Sequence, residues 1–455
     1  MTMDDLVDRR LGLLTAVVDQ PPMPGTPSGW LGRSSRVGRT DRFASRRADG
    51  FGFGATLADA GRARGAAIGE AVERYCGNAV PPDLPRASWD TLRARGLAAT
   101  DPLSFALYSP RQYATPGFPF VPFTRDLEVA WVDGTDLASG AAVLVPASLV
   151  YLDYFHGPRR GEPPVNALMY SGIAAGTSLL DAETAALEEV FERDATTIWW
   201  ASGAPARSVL DGGVVTGQLG RPYRDHPLTV RLLAVPSELD VPVLGAVLTD
   251  ETDGILAFGA ACRADPSAAA AKALVEALQL LVLGRQLADP GSDVWRSVAA
   301  GDIEGHVFLP FRADRRYGQA VSADYRELVD LPAIAQLYLD PALQRRAIDR
   351  LRPRGTVTLD ALPRIDGPVP SVREAHLERL RARGLRAVAV DLTTADVARC
   401  GLHVVRVVVP GLIGNGPPAY PLRGGRRLYD VPASMGWSAA PLTEDDLVRE
   451  PLPLA

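Results

Sequence analysis

Apolar residues recur at the three- and four-residue spacing of a helix along three long stretches, about 57–77, 180–200 and 267–286. Between them lie shorter runs rich in β-branched and aromatic residues that read as strands. These are Phe118-Pro-Phe120, Trp131-Val-Asp-Gly134 and Ala142-Val-Leu-Val-Pro-Ala147 within an extended, turn-rich stretch from 118 to 152, then Leu228–Val235 and Val241–Leu248. Small, glycine-bearing turns introduce each long helix: Gly50-Phe-Gly-Phe-Gly54, Ser171-Gly-Ile-Ala-Ala-Gly176 and Gly259-Ala-Ala-Cys-Arg263. Strand, turn and helix therefore recur three times, which predicts related α+β units gathered around a shared centre. Further on, helices are expected at about 331–349 and 371–383. Residues 287–305 read as a linker, and 385–409 reads as a β-α-β unit. The tail from Pro410 is rich in Pro and Gly and closes on Pro451-Leu-Pro453-Leu-Ala455. Such an end is ordinarily solvated, but it could also be a rigid strut that delivers the terminal carboxylate.

The polar positions of the long helices repeat as well. Ala66-Ala-Ile-Gly-Glu70-Ala-Val-Glu73-Arg74 and Ala185-Ala-Leu-Glu-Glu189-Val-Phe-Glu192-Arg193 share one pattern, and Ala273-Leu-Val-Glu276-Ala-Leu-Gln279 is a weaker third copy. Spacings of three and four put Glu70, Glu73 and Arg74 on one helix face, and likewise Glu189, Glu192 and Arg193. Glu and Arg so spaced are commonly solvated ion pairs. The alanines beside them argue instead for close packing. Several carboxylates in one pocket are what a magnesium ion, and a nucleotide held through it, require.

Composition narrows the class. Of 455 residues, 47% are hydrophobic and 22% charged, as in a globular protein. No signal-peptide pattern opens the chain and no apolar run of membrane-span length is evident, so the cytoplasm is expected. A net charge of −6 argues against general nucleic-acid binding. Three scattered cysteines form neither a disulfide framework nor a zinc pair. Lys272 is the only lysine, in Ala-Lys-Ala, so a P-loop is excluded. The His-Arg-Asp of protein kinases and the Gly-x-Ser-x-Gly of serine hydrolases are also missing. Five isolated histidines and Cys76 read as structural, and Trp199-Trp200 as packing at a helix end.

Taken in order along the chain, these motifs resemble the YcaO superfamily, and within it the D component of azole-forming peptide cyclodehydratases. The resemblance includes Gly69-Glu-Ala-Val-Glu-Arg-Tyr75, Ser171–Gly176, Glu189-x-x-Glu192-Arg193-Asp194, Asp391-Leu-Thr-Thr394, Val404–Leu412, Arg427-Leu-Tyr-Asp-Val-Pro432 and the Pro-x-Pro end. It implies an α+β fold around a central site for ATP and Mg2+, with a YcaO-like domain over 49–410, an N-terminal extension over 1–48 and a C-terminal segment over 411–455. It also implies an enzyme that uses ATP to activate backbone amides of a precursor peptide, so that Cys, Ser or Thr side chains close into azolines. Thioamide or macroamidine formation, and a weakened scaffold that activates a partner, are the alternatives.

By matching motifs, Glu70, Glu73, Glu189 and Glu192 would be metal-linked and Arg74 and Arg193 would orient them or touch phosphate. Glu276 and Gln279 would close the nucleotide site. Pro451 and Pro453 would hold the carboxylate of Ala455 near the reacting amide. The implied partners are a separate leader-binding component of ubiquitin-activating-like type and a downstream flavin dehydrogenase; a homodimer stays open. Three positions depart from the family pattern, Phe53 for Lys, Ala66 for Ser and Leu283 for Arg, with Arg46, Arg47 and Arg285 as candidate replacements.

Overall fold

The computed structural model describes residues 2–38, 40, 50–221 and 227–454. Arg46, Arg47, His226 and Ala455 lie outside the described residues. Three strands, β1 (Leu14–Asp19), β2 (Trp30–Val37) and β3 (Phe51–Leu57), form an antiparallel sheet in that order, and α1 (Ala60–Gly77) packs across it. The first 48 residues thus supply two of the strands that support α1. Next come β4 (Val129–Asp136), β5 (Ala142–Pro146), β6 (Ile173–Gly176) and α2 (Leu179–Ser202). An antiparallel meander follows, β7 (Thr229–Val235), β8 (Val243–Asp250) and β9 (Ile255–Cys262), leading into α3 (Pro266–Ala288). Near the C-terminus β10 (Val388–Asp391) and β11 (His403–Val408) return to the middle of the second sheet, whose order is Arg86–Ala87, β4, β10, β11, β6 with β5 beside β4. The third sheet runs β9, β8, β7, then the short strands Arg207–Val209 and Thr356–Val357. In this α+β arrangement β3, β6 and β9 are each the last strand of a sheet, and each feeds one of the long helices.

The three units are built alike. Asp59, Ser178 and Asp265 cap the helices by accepting the amide N–H of Arg62 at 2.9 Å, Asp181 at 3.1 Å and Ala268 at 2.8 Å. Close strand–helix packing explains the small residues. A Cβ on Gly54 would lie 2.1 Å from the backbone nitrogen of Ala67, one on Gly176 2.6 Å from that of Ala182, and one on Gly259 2.2 Å from the carbonyl oxygen of Ala273. The glycines and alanines therefore let backbone touch backbone, which draws the acidic helix faces inward.

Several expectations are corrected. The helix foreseen at 331–349 is two, Ala333–Leu337 and Pro341–Arg350, because Pro341 starts a helix and cannot continue one. The linker at 287–305 contains the helix Asp293–Ala300, capped by Ser292. β10 and β11 are antiparallel neighbours, since the five-residue helix Ala395–Arg399 between them is too short for a crossover. Phe118–Phe120 is not a strand; its rings join an aromatic cluster with Tyr108 and Tyr420. Helix α3 is long and apolar enough to pass as a membrane span by composition, yet it packs against β9 and carries Leu274, Leu278 and Leu281 into the core. The Pro-rich tail is docked. Trp200 Nε1 donates to the Glu450 carbonyl at 2.7 Å, the Tyr338 hydroxyl donates to that of Pro451, and Leu454 is buried.

Candidate active site

One cavity of about 830 Å³ lies among the three units, and Glu70, Glu73, Arg74, Glu189, Glu192, Arg193, Glu276 and Gln279 all line it. The four cavity glutamates of α1 and α2 are each locked by a backbone amide. Phe53 N–H donates to Glu70 at 3.0 Å, Ala175 to Glu73 at 2.7 Å, Gly172 to Glu189 at 3.0 Å and Cys262 to Glu192 at 3.3 Å. These donors sit on or beside the terminal strands β3, β6 and β9, whose outward N–H groups would otherwise be bare. A sheet edge that needs an acceptor and a carboxylate that needs a fixed orientation satisfy each other. One oxygen of each carboxylate is thereby spent on the fold.

The i,i+4 pairs seen in the sequence do form, Arg74 with Glu70 at 3.5 Å and Arg193 with Glu189 at 3.7 Å, and Arg193 also pairs with Glu192 at 3.4 Å. They face the cavity and not bulk water. Burial pushes the Glu73 carboxyl up to about 8, with Glu70 and Glu189 adding repulsion against the Ala175 amide and Arg74. Glu192 is likewise pushed up to about 8 by burial, against the pull of Arg193. Burial opposes charge on Arg193, but Glu192, Glu189 and Glu276 outweigh it and hold the guanidinium charged. Glu192 Oε1 and Arg193 Nε and Nη1 are buried without a hydrogen-bond partner. A carboxylate oxygen and a guanidinium left unsatisfied side by side fit a cation and a phosphate.

Among the described residues no three His, Cys, Asp or Glu side chains form a ready-made cage. Magnesium takes one or two carboxylates and completes its shell with phosphate oxygens and water. The glutamates would then hold the ion together with the triphosphate.

Sequence reasoning missed three cations. Arg62, Arg263 and Lys272 also line the cavity. Lys272 pairs with Glu276, and Arg263 donates to the Cys262 carbonyl at 2.7 Å and lies 3.2 Å from Glu188. The signal for Lys272 was present, since a chain that uses arginine almost everywhere keeps its one lysine here. Of the departures, Phe53 and Ala66 line the cavity, whereas Leu283 packs against the core. Arg285 is no replacement, because it is buried against Asp250 at 2.6 Å and Asp253 at 3.0 Å. Leu454 reaches the cavity wall, but Pro451 and Pro453 do not line it.

The profile of the YcaO cyclodehydratase family, described as ATP- and Mg2+-binding, matches residues 51–413. The chain belongs to the YcaO family. Its cofactors are accordingly ATP and Mg2+, and the donor set just described suits both. An uncharacterised protein of Methanothermobacter thermautotrophicus is 27% identical over 365 residues, 77% of this chain and 79% of that one. Among solved structures, a heterocyclase in complex with substrate and cofactor is similar at a TM-score of 0.70 and 21% identity, covering 98% of this chain and 56% of that one. The YcaO protein of Methanopyrus kandleri bound with AMPPCP and Mg2+ is similar at a TM-score of 0.55 and 22% identity, covering 89% and 90%. The chain thus spans little more than half the length of the heterocyclase.

Proposed function

We propose that this YcaO protein activates backbone amides of a ribosomally made precursor peptide with ATP, so that Cys, Ser or Thr side chains close onto the preceding carbonyl carbon as azolines. The observation that carries this is the meeting of Glu73 and Glu192, from distant parts of the chain, in one cavity with unsatisfied polar atoms on Glu192 and Arg193. When bound, Mg-ATP supplies the phosphoryl group that makes the amide oxygen a leaving group, so each ring forms with net loss of water while ATP yields ADP and phosphate.

The chain's own residues supply position and charge. Glu70, Glu73, Glu189 and Glu192, pinned by strand amides, face the divalent cation. Arg74, packed over the Tyr170 ring at 4.1 Å, and Arg193 hold phosphate oxygens. Glu276 and Gln279 close the nucleotide side from α3. The docked tail, held through the Glu450 and Pro451 carbonyls, brings Leu454 to the cavity wall. Buried surroundings and fixed donors make these contacts stronger than they would be in water.

A separate leader-binding component of ubiquitin-activating-like type presents the precursor, and a flavin dehydrogenase oxidises the rings where azoles are made. The test is Glu192→Gln with precursor and partner present. Loss of one charge-assisted contact, about 1.5–3 kcal/mol, lowers Mg-ATP affinity roughly 10–100-fold, and product formation falls with it. Unchanged nucleotide binding and turnover would falsify the reading. Mass spectrometry of the product separates loss of water, which supports azolines, from replacement of oxygen by sulfur, which contradicts them.

A further inference from the structure

Behind the wall of the nucleotide cavity lies a second cavity of about 60 Å³, and Arg193 lines both. The partition is thin. Met169 and Ser171 face the small cavity while Tyr170 between them faces the large one, and on α2 Val190 faces the small cavity while Glu189 and Glu192 face the large one. Its remaining lining is mostly aliphatic. Beneath it sits Arg406, 2% exposed, which donates to the carbonyls of Met169 at 2.9 Å and Tyr170 at 3.2 Å and so staples the partition in place. Arg406 forms no ion pair among the described residues, and its Nε is a buried donor without an acceptor, as are Nε and Nη1 of Arg193.

Buried N–H groups without partners are costly, and an extended peptide brings carbonyl oxygens that satisfy them. The amide being activated must meet the nucleotide beside Arg193. Its carbonyl belongs to the residue before the Cys, Ser or Thr that attacks. The attacking side chain must fold back over that carbonyl to close the ring, so the side chain of the preceding residue needs a space of its own next to Arg193. The volume admits roughly two to four water-sized groups. An aliphatic lining over a buried guanidinium rejects a further cation or a bulky ring.

We infer that the small cavity receives the side chain of the residue preceding each cyclised position and restricts it to small residues without positive charge. The inference rests on the amide-activation reading above.

Gly414 provides the test. A Cβ there would lie 3.8 Å from Leu422 Cδ1, Met169 Cε and Ser171 Oγ, ordinary contact distances, so Gly414→Leu grows into the cavity without a clash at the backbone. Gly161→Leu, where a Cβ meets nothing within 4 Å, is the surface control. The assay pairs full-length protein and partner with precursors carrying Gly, Ala, Val, Phe or Lys before one cyclised Cys, and measures binding of AMPPCP with Mg2+ separately. For the wild type, kcat/KM falls by about 10-fold or more from Ala to Phe and to Lys; for Gly414→Leu, the fall moves to Ala and Val while Gly is retained. Nucleotide binding stays within about twofold of wild type, as a pocket apart from the nucleotide requires. A Gly414→Leu profile parallel to wild type, or an equal loss of nucleotide binding, overturns the assignment. No product from the wild type with any precursor overturns the amide-activation reading, and this one with it.

Discussion

Binding of Mg-nucleotide to this protein is expected to release protons. Glu73 and Glu192 have their carboxyls pushed from the ordinary 4.5 to about 8 by burial, so both are mostly protonated at pH 7 in the nucleotide-free protein. In the proposed function both face a divalent cation, and to hold it both must be charged. Up to about two protons therefore leave per nucleotide bound, and apparent affinity rises by up to about 100-fold per pH unit below pH 8, flattening above it. Stability of the nucleotide-free protein has the opposite trend. A carboxyl whose folded value is raised binds its proton more tightly when folded. Its contribution is complete below 4.5 and is lost as pH rises towards 8, at about 1.4 kcal/mol per pH unit for each group. Titration calorimetry of AMPPCP with Mg2+ at pH 7, in buffers of different ionisation enthalpy, counts the protons. Glu73→Gln lowers the count by about one if the assignment holds. Proton release near zero, with affinity flat from pH 6 to 8, would refute the claim that burial holds these carboxyls neutral.

Lys272→Ala removes a compact cation from the cavity and leaves Glu276 without its partner, so Mg-ATP affinity falls roughly 10–100-fold in a direct binding assay, with little change in melting temperature because the side chain is partly exposed. Gly54→Ala forces a methyl to 2.1 Å from the Ala67 nitrogen; α1 is pushed off β3, and thermal or urea unfolding shows a loss of about 1–3 kcal/mol or more, accompanied by weakened nucleotide binding because Glu70 and Glu73 travel with the helix. Gly61→Ala, on the exposed first turn of the same helix, is neutral or stabilises by about 0.5–1 kcal/mol.

The three acidic helices were legible in the sequence because their causes are local. Apolar spacing and the repeated Glu and Arg positions fall within a few residues of one another, and the structure adds caps at Asp59, Ser178 and Asp265 just as near. The alanine flanks correctly pointed to close packing, whereas the glycine-bearing stretches read as turns belong largely to the strands Phe51–Leu57, Ile173–Gly176 and Ile255–Cys262. Where a local signal was weak the reading failed. Pro341 divides a stretch that periodicity alone joins, and the sense of β10 against β11 follows from the length of the link between them.

Other features were settled only by contacts between remote parts of the chain. Glu73 is fixed by the amide of Ala175 and Glu192 by that of Cys262, pairings that exist only because three sheets end at the same place. Arg285, which the sequence offered as a phosphate ligand, is consumed by Asp250, while Lys272, which it offered as a curiosity, stands in the cavity. What the amino-acid order determined by itself was which helices form and which of their faces are acidic, since propensity, capping and periodicity act over a single turn or two. The tertiary structure alone decided which carboxylates lose water and keep their protons, which cations reach them, and that a second cavity shares their wall, because desolvation and edge-strand hydrogen bonding are properties of the assembled interior.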